Sequence, residues 1–177
     1  MFIDLIRSRR SIRKFQNRPV EPEKIDLLME TALRAPSSRD LNPWCFVIVT
    51  DREMMAALSK AKPHGASFLA KAPLAMVVCA DPAKSDVWVE DAAIAAIYIH
   101  LAACDLGLGS CWIQLRKRFY NADQSSGDYV SGLLGLPKEM EVEAIIAIGY
   151  PGEEKAPHPK SGLPFDRINR ERYGKTH

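Results

Sequence analysis

Apolar side chains recur every three to four positions in several stretches of the chain, which is the spacing of an amphipathic helix. The pattern is clearest over residues 21–36, where Pro22 stands near the start, acidic residues surround it and Pro36 closes the run. The same kind of pattern predicts further helices at residues 3–8, 52–61, 87–106 and 128–135, the last ended by Gly135.

Continuous apolar runs of strand length separate these helices. Residues 44–51, 73–81 and 141–151 are apolar almost throughout, which is typical of strands buried on both faces. Residues 109–115, "GSCWIQL", predict a shorter strand, and "QNRPV" at 16–20 predicts an extended segment. Because no repeat, linker or change of composition divides the chain, we expect a single α+β domain over residues 1–177.

Two segments have a pattern that one small domain does not readily explain. Residues 87–106 are apolar on nearly every side through their middle, as in a helix enclosed in a core or at a subunit interface. Residues 152–177 contain three prolines and little periodicity, with one short helix possible near the end. A tail of this length without a core of its own is either disordered or packs on another surface, such as a second subunit.

Composition indicates a globular protein whose small net charge favours neither polyanions nor polycations. The 177 residues are 47% hydrophobic and 26% charged, which suits one domain with a sizeable core. Lys and Arg number 24 against 22 Asp and Glu, so no overall positive field favours nucleic acid or an anionic membrane. The N-terminus lacks the apolar core of a secretory signal, and the longest apolar stretch, residues 92–104, is shorter than the roughly 20 residues of a membrane span.

Cysteine and histidine spacing favours a reducing compartment and no structural metal. The four cysteines form no C-x-x-C pair, and the four histidines, His177 among them, show no H-x-x-x-H spacing. We therefore expect a cytoplasmic protein with no metal site. His100 and Cys79 each lie inside an apolar element, and we interpret both as core residues rather than catalysts.

Several short motifs carry no catalytic chemistry. "GLGS" at 107–110 follows a helix and lacks the third glycine of a dinucleotide fingerprint, so Gly107 is interpreted as a helix C-cap. "RKR" at 116–118 is typical of a solvated turn. The chain also contains no phosphate-loop, nucleophile-elbow or zinc pattern, so none of these predicts a function.

Two polar loops remain as candidates for function. "RRSIRKF", residues 9–15, surrounds Ser11 with four cations, which are either solvated, bound to a polyanion or arranged around one small anion. The near-neutral net charge weighs against the polyanion. "APSSRDLNPW", residues 35–44, has a proline near each end and short hydrogen-bonding side chains between them. Either loop alone is more typical of a polar surface than of a site.

Together, the two loops resemble a known family. An R-R-S-x-R near the N-terminus, then a helix, then A-P-S-x-x-N-x-Q-P-W opening a strand is the pattern of the nitroreductase family of FMN enzymes. "APLAMVVCAD", "GLGSCWIQ", "LGLP" and "AIIAIGYPGE" continue the resemblance in order over nearly the whole chain. The resemblance implies a nitroreductase-like fold, with a central, mostly antiparallel sheet flanked by helices, in an intertwined homodimer.

The resemblance also implies which residues bind the FMN. The N-terminal run and a tail lysine are expected to hold the phosphate and ribityl chain, the 35–44 loop to approach the flavin from the partner subunit, and "WIQ" to lie beside the isoalloxazine ring. The implied residues are Arg9, Arg10, Ser11, Arg13, Pro36, Ser37, Ser38, Asp40, Trp112, Ile113, Gln114 and Lys160. More loosely, His64 and Gly65 occupy a stretch that often touches the pyrimidine edge in this family.

On this interpretation "RRSIRKF" binds one small anion. A flavin phosphate carries about two negative charges near neutral pH, and planar guanidinium groups form paired, charge-assisted bonds to its oxygens. The chain departs from the family pattern at three positions: Asp40 stands where Asn is usual, Asn42 replaces the common Gln, and Gly162 occupies a position that is usually basic. These departures bear on the ring contacts and redox tuning more than on which cofactor is bound.

The implied function is an FMN-dependent oxidoreductase that takes hydride from NADH or NADPH and reduces a nitroaromatic, quinone or similar acceptor by a ping-pong mechanism. The flavin would perform the chemistry, so no catalytic side chain is expected. The alternatives are a flavin reductase or reductive dehalogenase of the same fold, and a non-catalytic flavin-binding or redox-sensing protein. Loops at 64–70 and 114–128 would shape the acceptor pocket, and they match nothing specific.

Overall fold

The fold is described from a computed structural model covering residues 1–175. The helices are α1 (Phe2–Ser8), α2 (Pro22–Leu33), α3 (Arg52–Leu58), α4 (Trp88–Asp105) and α5 (Ser126–Leu134). The strands are β1 (Trp44–Val49), β2 (Leu74–Ala80), β3 (Gly109–Gln114) and β4 (Glu141–Gly149). Every helix and strand expected before residue 152 is present, with ends that differ by a few residues, so the α+β prediction is confirmed.

The four strands form one sheet in the order β1-β2-β4-β3, and every neighbouring pair is antiparallel. The central strands β2 and β4 are buried almost throughout, as their apolar runs predict. The expectation that β1 is buried on both faces is wrong, since it is an edge strand with an exposed Cys45. Its apolar sequence therefore does not reflect coverage by this chain alone.

Helices cover both faces of the sheet. On one face α2 and α4 pack in a layer that includes the fully buried Leu28 and Ile99. On the other face α3, α5 and the 3-10 turn Ser67–Lys71 pack in a layer that includes Leu58 and Ile145. Burying a large aliphatic side chain in this way contributes roughly 1.5–3 kcal/mol, so the two layers provide the main stabilisation of the domain.

Helix α4 is only half covered. Its inner face is lined mainly by small side chains, such as Ala92 and Ala96, which let the helix approach the sheet closely. Its outer face leaves Ile94, Ile97 and Tyr98 exposed by 36%, 43% and 36%. The helix is thus enclosed on one side by the core, while its outer side is apolar and uncovered within one chain.

The end of α4 follows the predicted glycine cap. Gly107 adopts a φ of +73°, which favours glycine. Its N–H donates to the carbonyl of Cys104 at 3.1 Å, and the Leu108 N–H donates to the carbonyl of Ala103 at 2.8 Å. This pair of bonds is the Schellman motif, and it turns the chain directly into β3.

The tail contains no helix over residues 152–175 apart from two short 3-10 turns, Lys160–Gly162 and Phe165–Arg167. The expected short helix near the end is therefore not formed in this part. Leu163, Phe165 and Ile168 are each almost half exposed. Packing of the 152–177 tail on a partner stays a prediction, and Thr176 and His177 lie outside the described residues. Within residues 1–175 no helix is both long and apolar enough to cross a bilayer.

Candidate functional site

The basic run 9–15 is held between β3 and the start of the tail. On one side the Ile12 N–H donates to the carbonyl of Ser110 at 3.0 Å. On the other side the Gln16 N–H donates to the carbonyl of Tyr150 at 2.9 Å, and the Gly152 N–H donates to the carbonyl of Lys14 at 2.8 Å. Main-chain bonds on both sides therefore fix the direction of this segment, although its side chains are mostly polar.

Two charged residues of the tail hold the run in place. Glu153 Oε1 accepts the N–H groups of Arg13 at 2.7 Å and Lys14 at 3.2 Å. The bond from Arg13 is the main cause that lowers the pKa of the Glu153 carboxyl. Lys155 Nζ donates to the carbonyl of Ser11 at 2.8 Å and pairs with Glu153 at 3.2 Å. The sequence analysis missed both residues, because their partners lie about 140 positions away.

Positive charges from three segments act on β3. Burial raises the pKa of the Cys111 thiol, and this shift is opposed by the positive charges of Arg13, Lys155, Lys62 and Arg9. The run, the tail and the segment after α3 thus each direct cations toward the same strand. Residues Arg9, Arg13, Lys62 and Lys155 are called the cation cluster below.

The remaining predicted phosphate ligands lie beside this cluster. Arg9 and Lys160 line one cavity of about 500 Å³, together with His158. Arg10 Nη1 donates a hydrogen bond to the carbonyl of Ala156. Ser11 forms a parallel bridge with Ser110 at the start of β3. The structure therefore brings the expected residues of the run and of the tail to one region of the surface.

Lys62 connects the cation cluster to the end of β3. Its Nζ donates to the main-chain carbonyl of Gln114 at 3.1 Å, and partial burial lowers the pKa of the ammonium group. It lies close to Gly65, whose φ is +75°. The 62–65 segment is thus next to "WIQ", as the loose mapping of His64 and Gly65 requires, but the contact is made by Lys62, which the sequence analysis did not select.

The three residues of "WIQ" have different surroundings. Ile113 is fully buried in the layer of α3 and α5. Trp112 Nε1 donates to Gln114 Oε1 at 2.8 Å. Gln114 Nε2 donates to Glu143 Oε1 and to the carbonyl of Arg116, both at 3.2 Å. Both ends of the Gln114 amide are therefore engaged within the chain.

Glu143 is a buried carboxyl that the sequence analysis missed. It is 4% exposed and is the extra residue of a β-bulge, because Val78 pairs with Ala144 while Cys79 pairs with Val142. Burial raises the pKa of this carboxyl, against the opposing effects of Gln114 and Arg116. The signal available in the sequence was Glu143 itself, an acid that follows Val142 inside a strand whose interior is otherwise apolar. Its position fixes the Gln114 amide next to the predicted ring contacts.

His100 has the structural role predicted from the sequence. The side chain is 3% exposed, and Nδ1 is 2.6 Å from the Ser110 hydroxyl. Burial lowers its pKa to about 4, with a smaller contribution from the nearby charge of Arg9. The ring is therefore neutral at pH 7 and lies parallel to that of Trp112. Cys79 is fully buried in the core, again as predicted.

The 35–44 loop has an unusual and tightly bonded backbone. Arg39, Asp40 and Asn42 have φ values of 52°, 55° and 46°. This left-handed conformation costs a residue with a Cβ about 1 kcal/mol, less for Asn and Asp. Ser37 Oγ bonds both the N–H and Oδ1 of Asn42 at 2.9 Å, and Asn42 Nδ2 donates to Asp40 Oδ1 at 3.0 Å. Asp40 and Asn42, which both depart from the family pattern, are thus hydrogen-bonded to each other.

Within one chain, the polar contacts of this loop are with the start of α4 and the segment before it, and not with the cation cluster. The Ser38 N–H donates to Asp91 Oδ1 at 2.8 Å, and Arg39 pairs with Asp86. Asp91 lies near the start of α4, whereas His100, next to Ser110, is nine residues further along the helix, which corresponds to about 13.5 Å. The described residues therefore form two separate half-sites, one built on the run and one on the loop.

Comparison with known proteins assigns the whole chain to one group. The family model described as "Nitroreductase family" matches residues 6–63 and 60–150. A protein of Archaeoglobus fulgidus named "Putative NADH dehydrogenase/NAD(P)H nitroreductase" is 36% identical over 176 residues, which cover 97% of this chain and 98% of the relative. The similarity therefore extends over both half-sites and the tail.

Solved structures give the same result. An FMN-dependent nitroreductase from Clostridium difficile R20291 superimposes with a TM-score of 0.95 at 45% identity, covering 97% of this chain and 99% of the other. An NADPH:FMN oxidoreductase from Vibrio harveyi, solved in complex with NAD+, superimposes with a TM-score of 0.83 at 26% identity, covering 99% and 79%. The expected fold is confirmed by these superpositions.

Proposed function

This chain belongs to the nitroreductase family, and from that premise we propose that it is an FMN-dependent oxidoreductase. It takes hydride from NADH or NADPH and passes electrons to a nitroaromatic, quinone or similar acceptor. The observation that supports the proposal most directly is the cation cluster beside β3, whose member Arg9 lines one cavity together with Lys160. The similarity to an FMN-dependent nitroreductase and to an NADPH:FMN oxidoreductase supports the same enzyme class and cofactor.

The residues present suit a flavin mononucleotide. Its phosphate carries about two negative charges, and the run, the tail and Lys62 together supply several positive charges near β3, where Glu153 pairs with Lys155. Arg9, Arg10 and Arg13 would hold the phosphate through charge-assisted bonds, with Lys160 beside them. When bound, FMN supplies the hydride-accepting and electron-donating chemistry.

The residues of β3 and β4 would orient the ligand rather than react with it. Trp112, Gln114 and Glu143 form one hydrogen-bonded chain, so their side chains are held in fixed positions. His100 stays neutral because its pKa is about 4, and it supports the strand through Ser110. No side chain is proposed to act as nucleophile or general base, because the flavin would perform the chemistry.

The proposed active unit is a homodimer, which we place in the cytoplasm on the basis of the cysteine spacing. Apolar surfaces that lie uncovered within residues 1–175 include the outer face of α4, the groove between α2 and β1, and the apolar side chains of the tail. Exposed apolar patches of this kind are unusual on a monomer. A dimer would cover them and would place the Ser37–Ser38 loop of one protomer beside the cation cluster of its partner.

The direct test of the proposed function is the visible spectrum of the purified protein, followed by anaerobic mixing with NADH and with NADPH. We expect a yellow protein that releases FMN on denaturation and bleaches rapidly with at least one of the two nucleotides. Yellow colour that persists with both nucleotides would identify a flavin-binding or redox-sensing protein instead. A released flavin other than FMN would overturn the cofactor assignment.

Steady-state kinetics are expected to be ping-pong. The sequence contains no second nucleotide-binding motif, so the nicotinamide nucleotide and the acceptor would use one pocket over the flavin ring in turn. Initial rates at several fixed acceptor concentrations are expected to give parallel double-reciprocal lines. Lines that intersect at one point would show that both substrates bind together, which a single shared pocket does not allow.

A further inference from the structure

Asp91 is a buried carboxylate that the proposed chemistry does not use. It is 2% exposed and lies in the first turn of α4. Its two oxygens have different partners: Oδ1 accepts the main-chain N–H of Ser38 at 2.8 Å, and Oδ2 accepts the hydroxyl of Ser85 at 2.8 Å. The bond to Ser85 is buried and the bond to Ser38 is part-buried, and a buried carboxylate without partners would be strongly destabilising.

The bond to Ser38 acts on the most strained part of the chain. Ser38 immediately precedes Arg39 and Asp40. These are two of the three non-glycine residues that have positive φ in this loop. Such conformations persist only where the surroundings hold them in place. The internal bonds between Ser37 and Asn42 shape the loop, but they do not attach it to the rest of the protein.

Besides the main-chain bond from the Asp81 N–H to the carbonyl of Pro43 at 2.9 Å, two side-chain contacts attach the loop to α4 and the segment before it, and they differ greatly in burial. Arg39 pairs with Asp86, but their side chains are 65% and 78% exposed, so this ion pair contributes little. Asp91 is almost fully buried, and Ser85, which holds its other oxygen, also accepts the Val87 N–H at 3.3 Å at the start of the helix. Asp91 is therefore the buried side-chain attachment of the loop.

We propose that Asp91, supported by Ser85, is the positioning residue that holds the Ser37–Asn42 loop in the conformation that serves the flavin site of the partner protomer. This inference rests on the proposed function, because the loop acts on FMN only within the proposed dimer. Asp91 itself lies on α4, the helix whose outer face is the proposed dimer contact. It thus links the loop to the surface on which the partner would bind.

The first test measures the loop without reference to flavin. Trypsin cleavage after Arg39 is followed by mass spectrometry in the wild type, Asp91→Ala, Asp91→Asn and Asp86→Ala. Removing a buried acceptor from a main-chain N–H is expected to raise the cleavage rate about tenfold in Asp91→Ala. Asp91→Asn retains an acceptor oxygen and is expected to lie near the wild type, as is the exposed control Asp86→Ala. Equal rates in Asp91→Ala and the wild type would overturn the proposal.

The second test shows on which protomer the loop acts. FMN binding is titrated in the Asp91→Ala homodimer, where about tenfold weaker binding is expected. Differently tagged chains then give a heterodimer of Asp91→Ala with the Arg10→Ala/Arg13→Ala variant. If the loop serves the partner, this heterodimer contains one site with intact arginines and an intact loop, and it binds one FMN per dimer with wild-type affinity.

The outcomes separate the inference from the function on which it rests. A heterodimer without a tight site would show that the loop acts within its own chain or that Asp91→Ala damages the protein generally, and either result overturns the proposal. An Asp91→Ala homodimer that binds FMN as the wild type does would also overturn it. A wild-type protein that binds no FMN would refute the proposed function, while the trypsin rates would still decide whether Asp91 holds the loop.

Discussion

Replacing Arg10 and Arg13 together by Ala is expected to weaken FMN binding by about a hundredfold or more. Each guanidinium would lose charge-assisted bonds worth roughly 1.5–3 kcal/mol, and 1.4 kcal/mol corresponds to a factor of ten in affinity. The run is anchored through main-chain bonds from Ile12, Gln16 and Gly152, so its backbone position is retained in the variant. The loss therefore reports on the side chains rather than on folding of the segment.

Fluorescence titration of the flavin-free protein with FMN measures this effect. The matched control is Arg52→Ala/Lys138→Ala, which removes the same charge from exposed positions outside the cation cluster. The Arg10→Lys/Arg13→Lys variant keeps the charge but loses the planar fork, so intermediate affinity is expected. Flavin content that is unchanged in the double Ala variant would contradict the assignment of the phosphate site to this run.

Deleting residues 155–177 is expected to abolish both dimerisation and flavin binding. The deletion removes Leu163, Phe165 and Ile168, the exposed apolar side chains proposed to pack on the partner. It also removes Lys155, which bonds the carbonyl of Ser11, and Ala156, which accepts from Arg10. Obligate dimers commonly bury more than about 2,000 Å² and have no stable folded monomer, so loss of the tail is expected to destabilise the whole protein.

A shorter deletion, of residues 163–177, separates the two roles of the tail. It leaves Lys155, Ala156 and Lys160 in place, so any loss of the dimer is attributable to the apolar part of the tail. Light scattering after size exclusion at low micromolar concentration is the measurement for both deletions and for the wild type. A folded, flavin-loaded wild-type species near the chain mass of 19.7 kDa would contradict the dimer and the shared site with it.

The sequence predicted the elements of this fold well, because each of them is encoded by contacts close together in the chain. The helical spacing of residues 21–36 and the glycine after α4 both act within a few residues, and the structure contains both features. The edge position of β1 was not predictable in the same way. An edge strand that is as apolar as a central strand has the same pattern, and only the pairing order distinguishes them.

The candidate site was predictable only in part, for a related reason. Resemblance to a family identified the run and the loop, but the residues that position them are contacts between distant parts of the chain. Glu153 and Lys155 act on residues about 140 positions away, and Asp91 acts on Ser38, 53 positions away. No local pattern marks an acid that accepts a main-chain N–H from another segment, so these roles appeared only once the chain was folded.

The contacts between the run and the tail determine when this region can assemble during synthesis of the chain. The cations of residues 9–15 are made before Glu153, Lys155 and Lys160, which follow about 140 residues later. At about 5–20 residues per second, the ribosome completes them many seconds after the arginines. The nascent chain thus carries a cationic run whose neighbours do not yet exist, and the proposed cofactor site closes only after residues 153–160 have been made.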